Sequence, residues 1–153
     1  MTYHKIPFTK AGFENLKKEL ENFISKRPDA VKSLSKARDM GDLSENGLYK
    51  AAKFELGQID RNIRNLKNLI KSAKVLAPAN NDTVQIGHKV IISHSDNQKE
   101  FLIVGEFEAN PAEYKISNKS PIGFALMGRR KGDSVDIKTP NGFIKYKILS
   151  IEK

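Results

Sequence analysis

No cysteine occurs among the 153 residues. Its absence excludes a disulfide framework, a thiolate zinc site and a cysteine nucleophile, and it fits a reducing compartment. No apolar run approaches the ~20 residues needed to cross a bilayer. The opening Met1–Pro7 lacks the apolar stretch of a signal peptide. No membrane partner and a cytoplasmic location are therefore expected. There is no internal repeat and no low-complexity segment either. What is present is a 39% hydrophobic share, enough for a core, beside a 29% charged share that suits exposed helices. The length allows one large domain or two small ones.

The charge is unevenly spread. Residues 1–75 carry 16 Lys and Arg against 9 Asp and Glu, a net +7, whereas residues 76–153 carry 11 against 9, a net +2. A basic first half points to a polyanionic partner or an acidic protein surface. A solvated, lysine-rich helical face accounts for it equally well.

The two halves also differ in period. Phe13, Leu16, Leu20, Phe23, Ala30, Leu34 and Ala37 recur at alternating steps of three and four, with Arg27 at the one interrupted position. Ile59, Ile63, Leu66, Ile70 and Ala73 form a second such series. Narrow heptad stripes of this kind need a partner, and the economical partner is the other helix folded back antiparallel. Thr9 is placed to cap the first helix, and Gly41 to stop it. Pro28 removes a backbone donor within it and predicts a kink. The second helix is expected to start around Asp42 to Glu45 and to run to about Ala73. About 30 residues at ~1.5 Å each make an arm of roughly 45 Å.

After a linker at 77–82 the pattern becomes β-rich. Val84–Ile86, Lys89–Ser93 and Phe101–Val104 read as short strands, with a turn at Asp96-Asn97, and Tyr114–Ile116 as a further strand. Ser120-Pro121 opens a short helix carrying Ile122, Ala125 and Leu126, which Gly128 stops. Val135–Lys138 and Phe143–Ile151, joined by Pro140-Asn141-Gly142, form a final hairpin. Alternation of Ile144, Tyr146 and Ile148 with Lys145 and Lys147 marks a sheet with one wet face. The expected fold is α+β in two domains: a helical hairpin over 1–76, with its tip at about 38–46, and a small β-sheet domain with a short helix over 83–153.

At the tip, Asp42 and Glu45 stand three apart and can point the same way from the first turn of a helix. Two readings compete. An Asp followed three residues later by Glu is a capping box, and both charges suit a helix N-terminus. Alternatively, the pair is half of a magnesium site. Magnesium takes oxygen ligands and is commonly held by one or two carboxylates plus substrate phosphates, so two carboxylates on a turn need a second component to complete the site. Such a tip would work inside another protein's active site.

Ala37-Arg38, Gly41-Asp42-Leu43-Ser44-Glu45-Asn46, Tyr49 and Ala51-Ala52-Lys53 resemble the signature of the GreA/GreB transcription elongation factors. The opening Ile6–Phe13 and the pair Arg27-Pro28 are similar to that family as well. So are Ser120-Pro121-Ile122-Gly123, Ala125-Leu126-Met127-Gly128, Gly132-Asp133 and Thr139-Pro140-Asn141-Gly142 in the second half. The resemblance covers nearly the whole chain and leans toward GreA. It implies an antiparallel coiled coil followed by an FKBP-like domain that docks on bacterial RNA polymerase. The coiled coil would enter the secondary channel and stimulate the polymerase's own hydrolysis of a backtracked RNA 3′ end, so the factor is not itself the enzyme. The alternative is a regulator that enters the same channel without promoting cleavage.

By the same resemblance Asp42 and Glu45 are catalytic, sharing a Mg2+ ion only in the polymerase complex, with no cofactor bound to the factor alone. Leu43, Ser44 and Asn46 would support the tip. Arg38, Lys50 and Lys53 would contact RNA or polymerase, and the factor would act as a monomer. The chain departs from the pattern at Gly47-Leu48, where a small residue and an acid are common, and at Phe54 and Leu56, which replace polar residues.

Overall fold

A computed structural model of the chain describes residues 4–41 and 46–153. Thr9 opens the first helix as expected: its Oγ1 accepts from the Gly12 N–H at 3.0 Å, the bond that defines an N-cap. Helix α1 then runs Lys10–Arg38 as a single element through Pro28. The ring removes the donor that the Ile24 carbonyl would otherwise receive, yet the helix is continuous across it. Helix α2 spans Gly47–Ser72.

Burial follows the heptad seam. On α1, Leu16, Ala30 and Ala37 are buried, and Phe13, Leu20, Phe23 and Leu34 are half-buried. On α2, Ala52, Ile59 and Leu66 are buried, with Tyr49, Leu56, Ile63 and Ile70 half-buried between them. The second stripe thus begins at Tyr49, nearly three turns earlier than the sequence series. Leu56, which looked out of place, occupies a regular seam position. Arg27, the interruption in the first stripe, reaches Asp60 on α2, with Nε 2.6 Å from Oδ1 and Nη2 3.4 Å from Oδ2. A forked contact to one carboxylate fixes helix register more tightly than a single ammonium contact does.

The chain divides into two compact units, Phe13–Ser72 and a second one that joins the N-terminal segment through Gly12 to Ala73–Lys153. The boundary thus differs from the expected hairpin domain ending at 76. The reason is a pairing with no local signal: β1 (Ile6–Phe8) lies parallel to β2 (Ala73–Val75), in register Ile6 with Ala73 and Phe8 with Val75. Leu76 N–H extends the ladder to the Phe8 carbonyl at 2.8 Å. Phe8 is fully buried and stacks on Phe107 at 6.4 Å.

The main sheet has five strands in the order β5-β4-β3-β7-β6. These are β3 (Lys89–His94), β4 (Asn97–Val104), β5 (Lys115–Ser117), β6 (Ser134–Thr139) and β7 (Gly142–Glu152). All neighbours are antiparallel except β4 and β5, which run parallel, so the sheet is mixed at one edge. Helix α3 (Pro121–Leu126) is capped by Ser120, whose side chain accepts from Gly123 N–H, and Gly128 follows at φ +76°. Val90, Ile92, Ile103, Leu126, Val135, Ile137, Tyr146, Ile148 and Ile151 close the core.

Two strand expectations need correction. Val84–Ile86 is not a strand: its alternating burial comes from Val84 and Ile86 entering the core, while Val84 exchanges backbone bonds with Arg129 and Gly128. The β3–β4 turn is Ser95-Asp96, one residue earlier than expected, because His94 pairs with Asn97 and Ser95 takes φ +53°. Along β7, Ile148 and Ile151 both face the core although three apart. A bulge explains this: the register steps from Ser150 opposite Ile91 to Ile148 opposite Ile92, which leaves Leu149 unpaired.

Candidate functional site

The connection between α1 and α2 is built from the C-terminal turn of one helix and the N-terminal cap of the other. Beyond Arg38 the chain turns with Asp39 N–H on the Ser35 carbonyl and Met40 N–H on the Ala37 carbonyl, each at 3.2 Å. Gly41 then adopts φ +117°, a conformation that a residue with a Cβ rarely takes. It stands three residues beyond the end of α1 at Arg38, so the helix stops before the glycine expected to end it.

Asn46 organises the other side. Its Oδ1 accepts from the Tyr49 N–H at 3.1 Å, and its carbonyl accepts from the Lys50 N–H at 3.1 Å. Its Nδ2 donates to the Ala37 carbonyl at 2.9 Å. One amide side chain therefore caps α2 and ties it to the end of α1. Few side chains can do both: aspartate lacks the donor, and serine has one short hydroxyl.

Helix α2 accordingly starts at Gly47 with Asn46 as its cap, later than the expected start around Asp42 to Glu45; the capping-box reading of that pair falls outside the described residues. The signal was present in the sequence, since asparagine is a strong N-cap and Gly47 is a poor interior helix residue. The conspicuous acidic pair drew the cap forward instead.

Asp42, Leu43, Ser44 and Glu45 lie outside the described residues. Their place in the chain, between Gly41 and Asn46, puts both carboxylates within the connection that Asn46 closes. Arg38 is the last residue of α1 and Lys50 lies in the first turn of α2, with Lys53 one turn on; all three are exposed. Beside them Met40, Leu48, Ala51 and Ala52 line a shallow groove with Lys36 and Glu55 at its edge. Met40 and Leu48 are each 62% exposed, so Leu48 adds apolar surface where the resemblance leads one to expect a charge.

Among the described residues, no group of three or more His, Cys, Asp or Glu side chains converges as a metal site. In sequence the connection, residues 39–46, carries three carboxylates, Asp39, Asp42 and Glu45. Carboxylate oxygen is a donor type that suits Mg2+.

A two-helix hairpin whose connection carries Asp39, Asp42 and Glu45, and a unit built on a mixed β-sheet, define an α+β protein of two units. Its sequence matches the family models described as "Transcription elongation factor, N-terminal" over residues 6–75 and "Transcription elongation factor, GreA/GreB, C-term" over residues 79–153. The chain belongs to the GreA/GreB family of transcription elongation factors. It is 41% identical to the transcription elongation factor GreA of Acetivibrio thermocellus, over 99% of each chain. It is 42% identical to the GreA of Mycoplasma genitalium, over 99% of this chain and 98% of that one. Among solved structures, the GreA factor homolog 1 (Gfh1) protein of Thermus thermophilus is 28% identical, with a TM-score of 0.46 over 98% of this chain and 100% of that one. No described helix is long and apolar enough to cross a membrane.

Proposed function

We propose that this protein binds bacterial RNA polymerase, inserts its hairpin into the secondary channel and stimulates hydrolytic cleavage of the backtracked RNA 3′ end. What supports this reading is the position of Asp42 and Glu45 in the sequence of the connection, between two helix ends that Asn46 ties together. Side chains placed there have too few ligands to act alone. They have the right chemistry to complete a metal site supplied by a larger enzyme.

A Mg2+ ion held jointly there would activate the attacking water and neutralise charge on the phosphate. Asp42 supplies chiefly metal ligation, and Glu45 metal ligation or orientation of the water. Leu43, Ser44 and Asn46 set the shape of the tip. Arg38, Lys50 and Lys53 meet RNA phosphates or polymerase, in a salt-dependent way. The factor acts as a cytoplasmic monomer and performs no hydrolysis by itself.

The test uses arrested elongation complexes. Wild-type protein should shorten backtracked RNA, and the double variant Asp42→Asn/Glu45→Gln should bind polymerase normally and leave the RNA intact. A double variant that still shortens RNA would remove the carboxylates from the mechanism. Wild-type protein that binds without shortening would identify a channel regulator instead.

A further inference from the structure

The cations of residues 76–153 fall into two groups. Lys89 pairs with Glu100 and Glu152, Lys115 with Glu113, and Lys119 with Glu106. Lys153 donates to the Ala79 carbonyl and Lys99 lies over the Tyr146 ring. Every one of these is engaged. Residues 129–147 are different: they hold 6 Lys and Arg against 2 Asp, while the rest of 76–153 holds 5 against 7. Among the described residues, none of these six cations is within 4.0 Å of a carboxylate, and Arg129 alone donates to a carbonyl, that of Ala125 at 3.4 Å.

The topology sets several of them in a row. On the wet face of the β6–β7 edge, Lys138 stands opposite Phe143, Asp136 opposite Lys145, and Ser134 opposite Lys147. All are exposed, and Phe143 is 72% exposed. Outward positions on one strand are about 6.8 Å apart. Gly132 N–H on the Ile148 carbonyl brings the preceding loop, with Arg130 and Lys131, to the end of the same row. One of the two carboxylates is diverted, since Asp133 Oδ2 accepts the Arg130 N–H at 2.9 Å.

We propose that this face is a binding strip for single-stranded RNA. A row of unpaired cations at regular spacing follows a phosphate backbone, and an exposed aromatic ring among them offers a base a stacking platform, the combination that single-strand binders use. An acidic protein surface is the competing partner, and the salt slope together with the Phe143 variants separates the two. RNA is the single strand a transcription elongation factor meets as product.

Fluorescence anisotropy of the full chain with a labelled oligo-U of about 12 nucleotides, over a salt series, tests this. Lys138→Gln/Lys145→Gln/Lys147→Gln should weaken binding at least tenfold and reduce the salt slope by about 2, since each single-strand phosphate contact contributes ~0.7. The control Lys89→Gln/Lys115→Gln, which removes paired cations, should change affinity less than about threefold. Phe143→Ala should weaken binding about fivefold at an unchanged slope, with Phe143→Tyr restoring it. All substituted side chains are exposed, and circular dichroism verifies folding. Equal losses per charge removed in the triple variant and the control would reduce the effect to net charge and overturn the proposal. So would a triple variant that keeps RNA binding and loses polymerase. Tighter binding of oligo-dT than of oligo-U would overturn the assignment to RNA.

Discussion

Asn46 Nδ2 donates to the Ala37 carbonyl across nine residues, at 2.9 Å, so the end of α1 and the start of α2 are held by one side chain. Asn46→Ala removes this bond and the cap together. Loss of a cap alone costs about 0.5–2 kcal/mol. Urea denaturation should show a destabilisation in the upper part of that range. Asn46→Asp keeps the cap oxygen and should recover part of the loss, because only the donor to Ala37 is missing. If Asn46→Ala and Asn46→Asp were equally unstable, the cap would contribute nothing.

Arg27 and Asp60 form the contact between the helices at the interrupted seam position. Hydrogen bonding to Asp60 raises the Arg27 pKa, and hydrogen bonding to Arg27 lowers that of Asp60. A carboxylate with a depressed folded pKa stabilises above its unfolded value, and that contribution is lost as pH falls through the folded one. Both groups are substantially exposed, so the effect is small and screened by salt. A double-mutant cycle with Arg27→Gln and Asp60→Asn should give a coupling that shrinks in about 1 M salt and vanishes in strong acid. Arg27→Lys, which cannot reproduce the fork, should lose most of it.

His88 is fully buried, and its Nδ1 accepts from the Gln85 N–H at 2.9 Å, so the ring is neutral. Burial is the main cause that lowers its pKa, opposed by the Asn80 backbone and aided by the charge of Lys153. A histidine with a lowered folded pKa stabilises fully above its unfolded value of about 6.5 and loses that contribution as pH falls through the folded one. The urea midpoint should therefore drop between about pH 7.5 and pH 5. His88→Asn, which can still accept from Gln85, should have a flatter profile over that range. An unchanged profile would assign the acid sensitivity to other groups.

Gly105 lies where β4 has ended, against the β1 backbone. A Cβ at this position would run into the Pro7 carbonyl, a backbone atom with no freedom to rotate away. Gly105→Ala should cost ~1–3 kcal/mol, the usual penalty for overpacking. Gly57→Ala, which meets nothing within 4 Å on α2, should be neutral or stabilising in the same thermal melts.

Much of this architecture was legible in the residues because local rules determine it. The Thr9 cap, the heptad stripes, the Ser120 cap with Pro121, and the Thr139–Gly142 turn each follow from one short pattern. The β1–β2 pairing was not legible, since Ile6–Phe8 and Ala73–Val75 are joined only by contact across more than sixty residues. Nor was the parallel edge of β5, which has no signature in three residues. The Leu149 bulge hides in a strand whose alternation looks regular until Ile151. At the site, the sequence located the acidic pair by spacing and misplaced the cap. Both Asp42/Glu45 and Asn46 obey capping preferences, and the bond from Tyr49 N–H identifies Asn46 as the cap of α2. His88 passed unnoticed because one histidine between Gly87 and Lys89 gives no hint of full burial.

The parallel pairing of β1 with β2 makes the hairpin, in topological terms, an insertion between two adjacent strands. Chain connectivity then places no constraint on how many helical turns lie between them. Matched additions or deletions of seven residues in α1 and α2 preserve the seam and leave Ile6–Phe8 against Ala73–Val75. Arm length is thus a separately adjustable dimension, and proteins of this design can be resized like a gauge without refolding the part that holds it.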